Sequence, residues 1–434
     1  MSAPAGAQPQ GAGPRPPQKQ APAPAPAQPR PAAADKTELP PAIPAAVYRA
    51  RRERLAARLG GCVGVIKSFP ASGDDPFDPY FFYLTGIDEP GSMLTLAPRE
   101  AIVRSSLDLT PRDPEMEIWE GYREPLSIGL RKKYQVDRVG RLRGPVPGLL
   151  YGALRRSRCL AELRSAFSDK PALPPEQVGK LMTAFAARTE QKWQELEKLR
   201  TIKDPAEIER MDRAIAITLE GHRAAARELR AGTTERKVAS RIDDAFFAAG
   251  ATGMAFPSIV GAGPNGAVLH WEKRDRVIQE GDLVVVDIGS AYGGYASDIT
   301  RTYPVSGKFS PEQRRIYDTV LAVQDKVIAA VRPGISLDRL NQIAEQAIND
   351  AGFDLPHYIG HFVGLQVHDV GDTGAPLEAG VVLTVEPGIY LKDQFGVRIE
   401  DMVLVTPRGG RLMTRDLPRK AADVEGWMAS ARSR

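Results

Sequence analysis

Residues 282–298 read DLVVVDIGSAYGGYASD, an apolar run of strand length followed by a glycine pair and a second short apolar stretch. This pattern predicts a hairpin, and we place its tight turn at Tyr292-Gly293 because such turns need residues that accept positive φ. In that register Asp287 and Asp298 face each other, with Cβ atoms roughly 5 Å apart. Both carboxylates stay ionised in an apolar setting only if a cation compensates them.

A second strand, turn and strand follow in VVLTVEPG at 381–388 and VRIEDMVLV at 397–405. Glu386 and Glu400 hold the places of the two aspartates in this unit, and Glu400 follows its counterpart Asp298 by 102 residues. The helical patterns that precede the two units are also offset by 102 residues. The sequence therefore predicts an internal repeat with four carboxylates around one centre. Carboxylates inside apolar strands are rarely buried unless they are paired or bind metal.

A fifth ligand candidate lies in HYIGHFVGLQVHD at 357–369, which holds three of the five histidines of the chain. A lone histidine among apolar residues is usually a core residue, but three of them interleaved with glycine favour a site. Four carboxylates and one imidazole suit Mn²⁺, Co²⁺ or Fe²⁺ better than they suit structural zinc. Such a set can hold two metal ions roughly 3.5 to 4 Å apart.

At these residues the sequence resembles the pita-bread metallopeptidases, and within them the Xaa-Pro aminopeptidases (aminopeptidase P) and prolidases. The resemblance covers most of residues 176–434. It rests on the segments 259–270, 297–302 (SDITRT), 357–369, 385–388 (VEPG) and 398–401 (RIED), and on Asp287. It implies an α+β fold, a pita-bread catalytic domain with an internal pseudo-two-fold repeat after a smaller α/β N-terminal domain. That first domain also resembles aminopeptidase P, in FFYLTG at 81–86 and EIWEG at 117–121.

The resemblance also implies a ligand set. Asp287 would chelate one metal ion, His361 and Glu386 would chelate the other, and Asp298 and Glu400 would bridge both. The expected cofactor is a pair of divalent ions, Mn²⁺ first, with Co²⁺, Fe²⁺ or Zn²⁺ as alternatives. A bridging hydroxide would attack the scissile carbonyl.

Further roles follow from the same resemblance. Glu386 would also shuttle the proton, and His270 and His368 would steady the substrate and the tetrahedral intermediate. His357 and Arg398 match positions in and around the substrate pocket. We interpret two aromatic residues next to these segments, Tyr390 and Trp271, as packing residues.

The implied activity is that of an aminopeptidase, which releases the N-terminal residue from peptides with proline in the second position. A prolidase that cleaves Xaa-Pro dipeptides is the first alternative, because both groups share every ligand. A non-catalytic pita-bread module that binds peptides or histones is a remote one, and methionine aminopeptidase and creatinase are less favoured. The resemblance of the first domain favours the aminopeptidase.

The composition bounds the organisation of the 434 residues. Residues 1–44 are rich in Pro and Ala and predict a disordered tail, 45–175 the N-terminal domain and 176–434 the catalytic domain. The tail lacks the apolar core of a signal peptide, so we expect a cytoplasmic protein, or a secreted one if a signal sequence precedes Met1. We interpret the only two cysteines, Cys62 and Cys159, as buried core thiols.

The charge is nearly balanced, with 58 Lys and Arg against 54 Asp and Glu. This balance gives no reason to expect a nucleic-acid partner. No apolar run reaches the roughly 18 residues that a membrane span needs. The expected partners are a peptide with an Xaa-Pro N-terminus and further copies of the chain, as a dimer or tetramer.

Overall fold

The structure is a computed structural model, and it describes residues 42–70, 76–98, 101–142, 157, 159–163 and 188–433. The predicted Pro/Ala-rich tail, residues 1–44, therefore lies almost entirely outside the described residues, as does the predicted boundary near residue 175. Among the described helices, none combines the length and the apolar character that crossing a bilayer requires.

The first domain is built on a six-stranded mixed sheet with the order β4-β3-β2-β1-β5-β6. Its strands are β1 Val63–Lys67, β2 Met93–Leu96, β3 Ser105–Leu109, β4 Arg138–Arg141, β5 Cys159–Glu162 and β6 Arg188–Gln191, and its described helices are α1 Ala45–Arg58, α2 Pro79–Thr85, α3 Pro114–Glu120 and α4 Ile128–Tyr134. The sixth strand comes from residues that the sequence prediction assigned to the second domain. Helix α2 begins where the Asp78 carboxylate accepts hydrogen bonds from the backbone N–H groups of Tyr80 and Phe81, which satisfies donors that the first helical turn leaves open.

Cys62 and Cys159 form a disulfide, so their interpretation as free core thiols was wrong. Strands β1 and β5 pair in parallel with Val63 opposite Leu160. This register brings the two preceding residues side by side, with their Cα atoms 4.6 Å apart. The cysteines are 97 residues apart in sequence, and only the strand pairing makes them neighbours. Both side chains are buried in the described domain.

The second domain carries two successive units, each with a helix pair followed by antiparallel strands. Its helices are α5 Trp193–Thr201, α6 Pro205–Glu228, α7 Glu235–Ala248, α8 Pro311–Ala330, α9 Leu337–Asp350 and α10 Ala421–Arg432. Its strands are β7 Gly253–Met254, β8 Ile259–Ala262, β9 Leu283–Ile288, β10 Ser290–Tyr292, β11 Tyr295–Ala296, β12 Ile299–Pro304, β13 Val382–Val385, β14 Gly388–Leu391, β15 Phe395–Arg398, β16 Asp401–Thr406 and β17 Gly409–Leu412. One apolar cluster runs through both units and includes Val286, Val320 and Val385. The predicted α+β pita-bread fold is confirmed.

The hairpin of the first unit turns one residue later than predicted, at Gly293-Gly294, where φ is +56° and +86°. A two-residue turn of this kind needs positive φ at both central positions, and the glycine pair accepts it at both. Strands β9 and β12 consequently place Asp287 opposite Thr300 rather than opposite Asp298. The predicted pairing is wrong by two residues. Because side chains alternate with a period of two, this error leaves both aspartates on the same face.

The two domains meet at the N-terminus of α6. Asp204 caps this helix, and the Arg51 side chain of α1 donates to the Asp204 carboxylate over 2.8 Å and 3.0 Å. Arg51 also donates to the carbonyl oxygen of Tyr83 in α2. Arg51 is fully buried, so this contact holds the first domain against the start of the second one.

Candidate metal centre

Strand ends from both units meet at one place and carry the four predicted carboxylates there. Asp287 lies near the end of β9 and Asp298 directly precedes β12, whereas Glu386 directly follows β13 and Glu400 directly precedes β16. The backbone N–H of Glu400 donates to the carbonyl oxygen of Thr300 over 3.1 Å. This hydrogen bond joins the two units between the carboxylates.

His361 completes the group. Its Nε2 lies 3.4 Å from Asp298 Oδ2 and 3.7 Å from Glu386 Oε1. His361, Asp298 and Glu400 each offer a ligand atom within 4.8 Å of the other two. The carbonyl oxygen of Phe362 lies 3.2 Å from His361 Nδ1. A proton on Nδ1 donated to that carbonyl leaves Nε2 free to ligate among the carboxylates.

The carboxylates oppose one another's ionisation. Burial, together with the charges of Asp287 and Glu386, raises the pKa of Asp298 well above its ordinary value. Burial and the charges of Asp298 and Glu386 do the same for the pKa of Glu400. The protein residues alone therefore do not keep this cluster fully charged, and a bound cation would.

Two buried oxygen atoms of the cluster also lack a partner. Among the described residues, Oδ1 of Asp287 and Oδ1 of Asp298 accept no hydrogen bond although they are buried. Buried polar atoms in folded proteins are nearly always satisfied. Unpaired carboxylate oxygens beside an imidazole nitrogen form a donor set that fits Mn²⁺, Co²⁺ or Fe²⁺. The residues present therefore fit divalent metal ions.

Arg398, which the sequence predicted to line the pocket, makes hydrogen bonds to the carboxylate cluster and to a residue beside it. Its guanidinium donates to Asp287 Oδ2 over 2.7 Å and to the carbonyl oxygen of Leu269 over 3.3 Å. Its Nε donates to the hydroxyl of Thr300, which in turn donates to Glu400 Oε2 over 2.8 Å. Thr300 was missed by the sequence reasoning, although it stands opposite Asp287 in the strand pairing.

Tyr390 makes polar contacts that its interpretation as a packing residue did not include. Its hydroxyl lies 2.9 Å from His357 Nε2 and accepts a hydrogen bond from Arg398 over 3.0 Å. Burial raises the pKa of Tyr390 to about 12, so the hydroxyl keeps its proton. Trp271 is also more than a packing residue, because its indole N–H donates to Glu235 Oε2 over 3.0 Å.

The remaining predicted histidines lie around the carboxylates, where His270 and His368 are exposed and His357 is half-buried. His270 follows Leu269, whose carbonyl oxygen is held by Arg398. The His368 ring lies 4.3 Å from the His361 ring, centroid to centroid, and His368 lines a cavity of about 610 Å³ between the two domains. Burial lowers the pKa of His357, so its imidazole is neutral beside Tyr390 at neutral pH. The structure thus brings all the predicted site residues to one region.

The chain matches known families over both domains. Residues 48–144 match the aminopeptidase P N-terminal domain, and residues 209–407 match metallopeptidase family M24. An Xaa-Pro aminopeptidase of Haemophilus influenzae is 34% identical over 389 residues, covering 81% of this chain and 88% of that protein. The chain belongs to the M24 metallopeptidases. Within that family it groups with the Xaa-Pro aminopeptidases, and it is a metallo-exopeptidase.

Solved structures agree with this grouping. Aminopeptidase PepP of Pseudomonas aeruginosa superimposes with a TM-score of 0.80 at 28% identity, covering 90% of this chain and 99% of that one. An Xaa-Pro dipeptidase of Pyrococcus furiosus is 38% identical, but the match covers only 51% of this chain and 65% of that protein. The family relationship of this M24 enzyme to aminopeptidases therefore extends over the first domain as well.

Proposed function

We propose that this M24 enzyme is a dinuclear-metal aminopeptidase that releases the N-terminal residue from peptides with proline in the second position. The observation that carries the proposal is the group formed by the buried Asp298 and Glu400 and the half-buried His361, whose ligand atoms lie within 4.8 Å of one another. Beside it lie buried carboxylate oxygens that have no hydrogen-bond partner among the described residues. We propose Asp287, Asp298, His361, Glu386 and Glu400 as the metal ligands and Mn²⁺ as the metal.

Divalent ions at these residues would supply Lewis acidity at the scissile carbonyl and a water that ionises near neutral pH. We assign proton transfer to the leaving amine to the Glu386 carboxylate. We assign to His368 and His270 the hydrogen bonds that stabilise the developing oxyanion and the substrate. In this proposal the neutral His357 orients the substrate, and Arg398 orients the carboxylate of Asp287 at the edge of the substrate pocket.

The prolidase alternative differs in the space beyond the proline. A dipeptidase closes that space with a cation that pairs with the proline carboxylate, whereas an aminopeptidase leaves it open. Arg398 does not serve as that cation, because its guanidinium already donates hydrogen bonds to Asp287 and Tyr390. The match to Xaa-Pro aminopeptidases over both domains also favours the aminopeptidase. The non-catalytic alternative is not favoured, since the full set of ligand residues is present.

The test compares three peptides on the Mn²⁺-loaded enzyme: Xaa-Pro, Xaa-Pro-Yaa and Xaa-Ala-Yaa. We expect kcat/KM for the Xaa-Pro-Yaa tripeptide to equal or exceed that for the dipeptide, and the alanine peptide to be cleaved far more slowly. Hydrolysis confined to the dipeptide would instead make the enzyme a prolidase. Elemental analysis should find two divalent ions per chain.

An exposed apolar surface supports the proposed homo-oligomer. Ile118 and Trp119 at the end of α3 are 75% and 84% exposed, Tyr122 in the following loop is 87% exposed, and Ile128 at the start of α4 is 69% exposed. Apolar patches of this kind on a folded protein mark interaction surfaces. We expect Trp119→Glu to lower the oligomeric state in analytical ultracentrifugation, and an unchanged mass would place the interface elsewhere.

The disulfide bears on the compartment. Disulfides persist in oxidising compartments and are rare in reducing cytoplasm. The Cys62–Cys159 bond therefore favours an oxidising compartment over the cytoplasm that the sequence led us to expect. Thiol titration of enzyme isolated from its natural source, alkylated during lysis, tests this point.

A further inference from the structure

Asp369, the residue after His368, has its carboxylate held by two buried cations. Arg200 donates to Asp369 Oδ1 over 2.5 Å, and Lys203 donates to Asp369 Oδ2 over 2.9 Å. The side chains of Arg200, Lys203 and Asp369 are 1%, 0% and 2% exposed. All three charges are therefore shielded from water, and each depends on the others.

Both cations lie in the segment 200–203, which contacts the loop of residues 361–370 on both sides of His368. Arg200 also donates to the side-chain oxygen of Gln366 over 3.2 Å. The hydroxyl of Thr201 donates to the carbonyl oxygen of Val370 over 3.3 Å. The C-terminus of α5 thus contacts the loop two residues before His368, directly after it, and two residues after it.

A backbone hydrogen bond closes the loop on itself, and the centre of the loop has no room for a side chain at Gly364. The backbone N–H of Asp369 donates to the carbonyl oxygen of Phe362 over 2.8 Å. A Cβ atom on Gly364 would lie 2.1 Å from Asp369 Oδ2 and 2.9 Å from Lys203 Cε. The carboxylate therefore fills the space inside the loop that carries both His361 and His368.

One cation would be enough to neutralise the Asp369 carboxylate, and a buried ion pair adds little net stability compared with apolar residues of the same volume. Burial opposes the ionisation of Asp369, but Lys203 and Arg200 outweigh it and lower the pKa of this carboxyl. Asp369 therefore stays charged at neutral pH. What the two cations add over an apolar filling is direction, because each bond sets where one oxygen of Asp369 lies.

We propose that Arg200 and Lys203, acting through the Asp369 carboxylate, are positioning residues that hold His368 where it meets the reacting peptide. The inference rests on the proposed function, which assigns His368 to the developing oxyanion. A misplacement of a catalytic group by about 1 Å costs on the order of 100-fold in rate. We call Arg200, Lys203 and Asp369 the clamp, and we expect the clamp to affect turnover and to leave metal binding intact.

The first test is Asp369→Asn in the Mn²⁺-loaded enzyme, with Asp108→Asn as the matched control. Asp108 is also a buried carboxylate paired with an arginine, Arg138, but it lies in the sheet of the first domain. We expect Asp369→Asn to lower kcat by about 10- to 100-fold, to leave KM within about threefold, and to keep both metal ions. Asp108→Asn should keep kcat. An unchanged kcat in Asp369→Asn, or loss of its metal, overturns the proposal.

Arg200→Lys and Arg200→Met provide the second pair, and they decide the matter if Asp369→Asn does not fold. The lysine keeps the charge and should retain more of the wild-type kcat than the methionine, which keeps only the apolar volume. Equal kcat values in the two variants overturn the proposal.

A double-mutant cycle with His368→Ala separates positioning from a direct effect. If Asp369 acts through His368, Asp369→Asn should cost no further kcat once His368 is alanine. Additive losses overturn the inference and leave the proposed function standing.

The ring signals of His368 give a readout that needs no substrate. In imidazole NMR spectra, Asp369→Asn should shift or broaden the His368 signals and leave those of the buried His222 unchanged. An enzyme that fails to cleave Xaa-Pro peptides refutes the proposed function, and this spectrum still decides whether the clamp positions His368. Unchanged His368 signals overturn it.

Discussion

Reduction of the Cys62–Cys159 disulfide should destabilise the first domain without changing its folded structure. Backbone hydrogen bonds of their own pair the folded strands β1 and β5, so we expect the disulfide to act mainly on the unfolded chain. It joins residues 97 apart in sequence. For a closed loop of about 100 residues, the chain-entropy treatment assigns about 4.7 kcal/mol to the cross-link at 25 °C.

The assay is urea unfolding of one protein sample with and without a phosphine reductant, followed by near-ultraviolet circular dichroism. We expect the reduced sample to lose about 3 to 4 kcal/mol of unfolding free energy, because disulfides often deliver less than the entropic limit of about 4.7 kcal/mol. Cys62→Ala/Cys159→Ala is the control, since reductant should leave its unfolding curve unchanged.

Two results would refute the reasoning. The first is the same urea midpoint for the oxidised and reduced samples. The second is the titration of two free thiols in denatured protein that has never met a reductant, because the bond would then be absent from the native chain.

Three further predictions concern the site and its supports. Asp298→Ala and Glu400→Ala should each lose metal and peptide hydrolysis, because both carboxylates share the ligand group with His361; full metal content by elemental analysis would contradict this. Tyr80→Ala should lower kcat more than Tyr80→Phe does, since the ring stacks on the guanidinium of the clamp at 4.5 Å; equal kcat values would show that the ring has no part in it. Burial raises the pKa of Glu207 from 4.5 to about 7, so the protonated form stabilises the fold at low pH and this contribution is lost as pH rises from about 4.5 to about 7. The melting temperature of wild type relative to Glu207→Gln should therefore fall between pH 5 and pH 8, and a difference that does not vary with pH would argue against the shift.

The sequence was sufficient to find the carboxylates but not to align them. Asp287 and Asp298 were recognised because acidic residues stand out in apolar strands, and the period of two kept them on one face despite the misplaced turn. The true turn depends on positive φ at both Gly293 and Gly294. The sequence places that pair next to two tyrosines, and a turn one residue earlier satisfies the same local pattern.

Contacts between segments distant in sequence could not be predicted from the sequence. Cys62 and Cys159 become neighbours only through the pairing of β1 with β5, which no spacing reveals. The sequence singled out neither Arg200 nor Lys203, because a charged residue near a helix does not reveal from the sequence what covers it. Both are buried against a loop 166 or more residues away.

The position of the clamp sets where the enzyme can be divided. The match to family M24 begins at residue 209, so a fragment cut there keeps each proposed ligand and loses Arg200 and Lys203. Asp369 would then lose both of its cations, and the removal of one partner from a buried ion pair already costs about 3 to 5 kcal/mol. Chimeras that exchange first domains between relatives therefore need to keep α5 with the catalytic half. The incoming first domain must also supply the surface that Tyr80 of α2 provides here, because α5 contacts Tyr80 through Glu197 and Arg200.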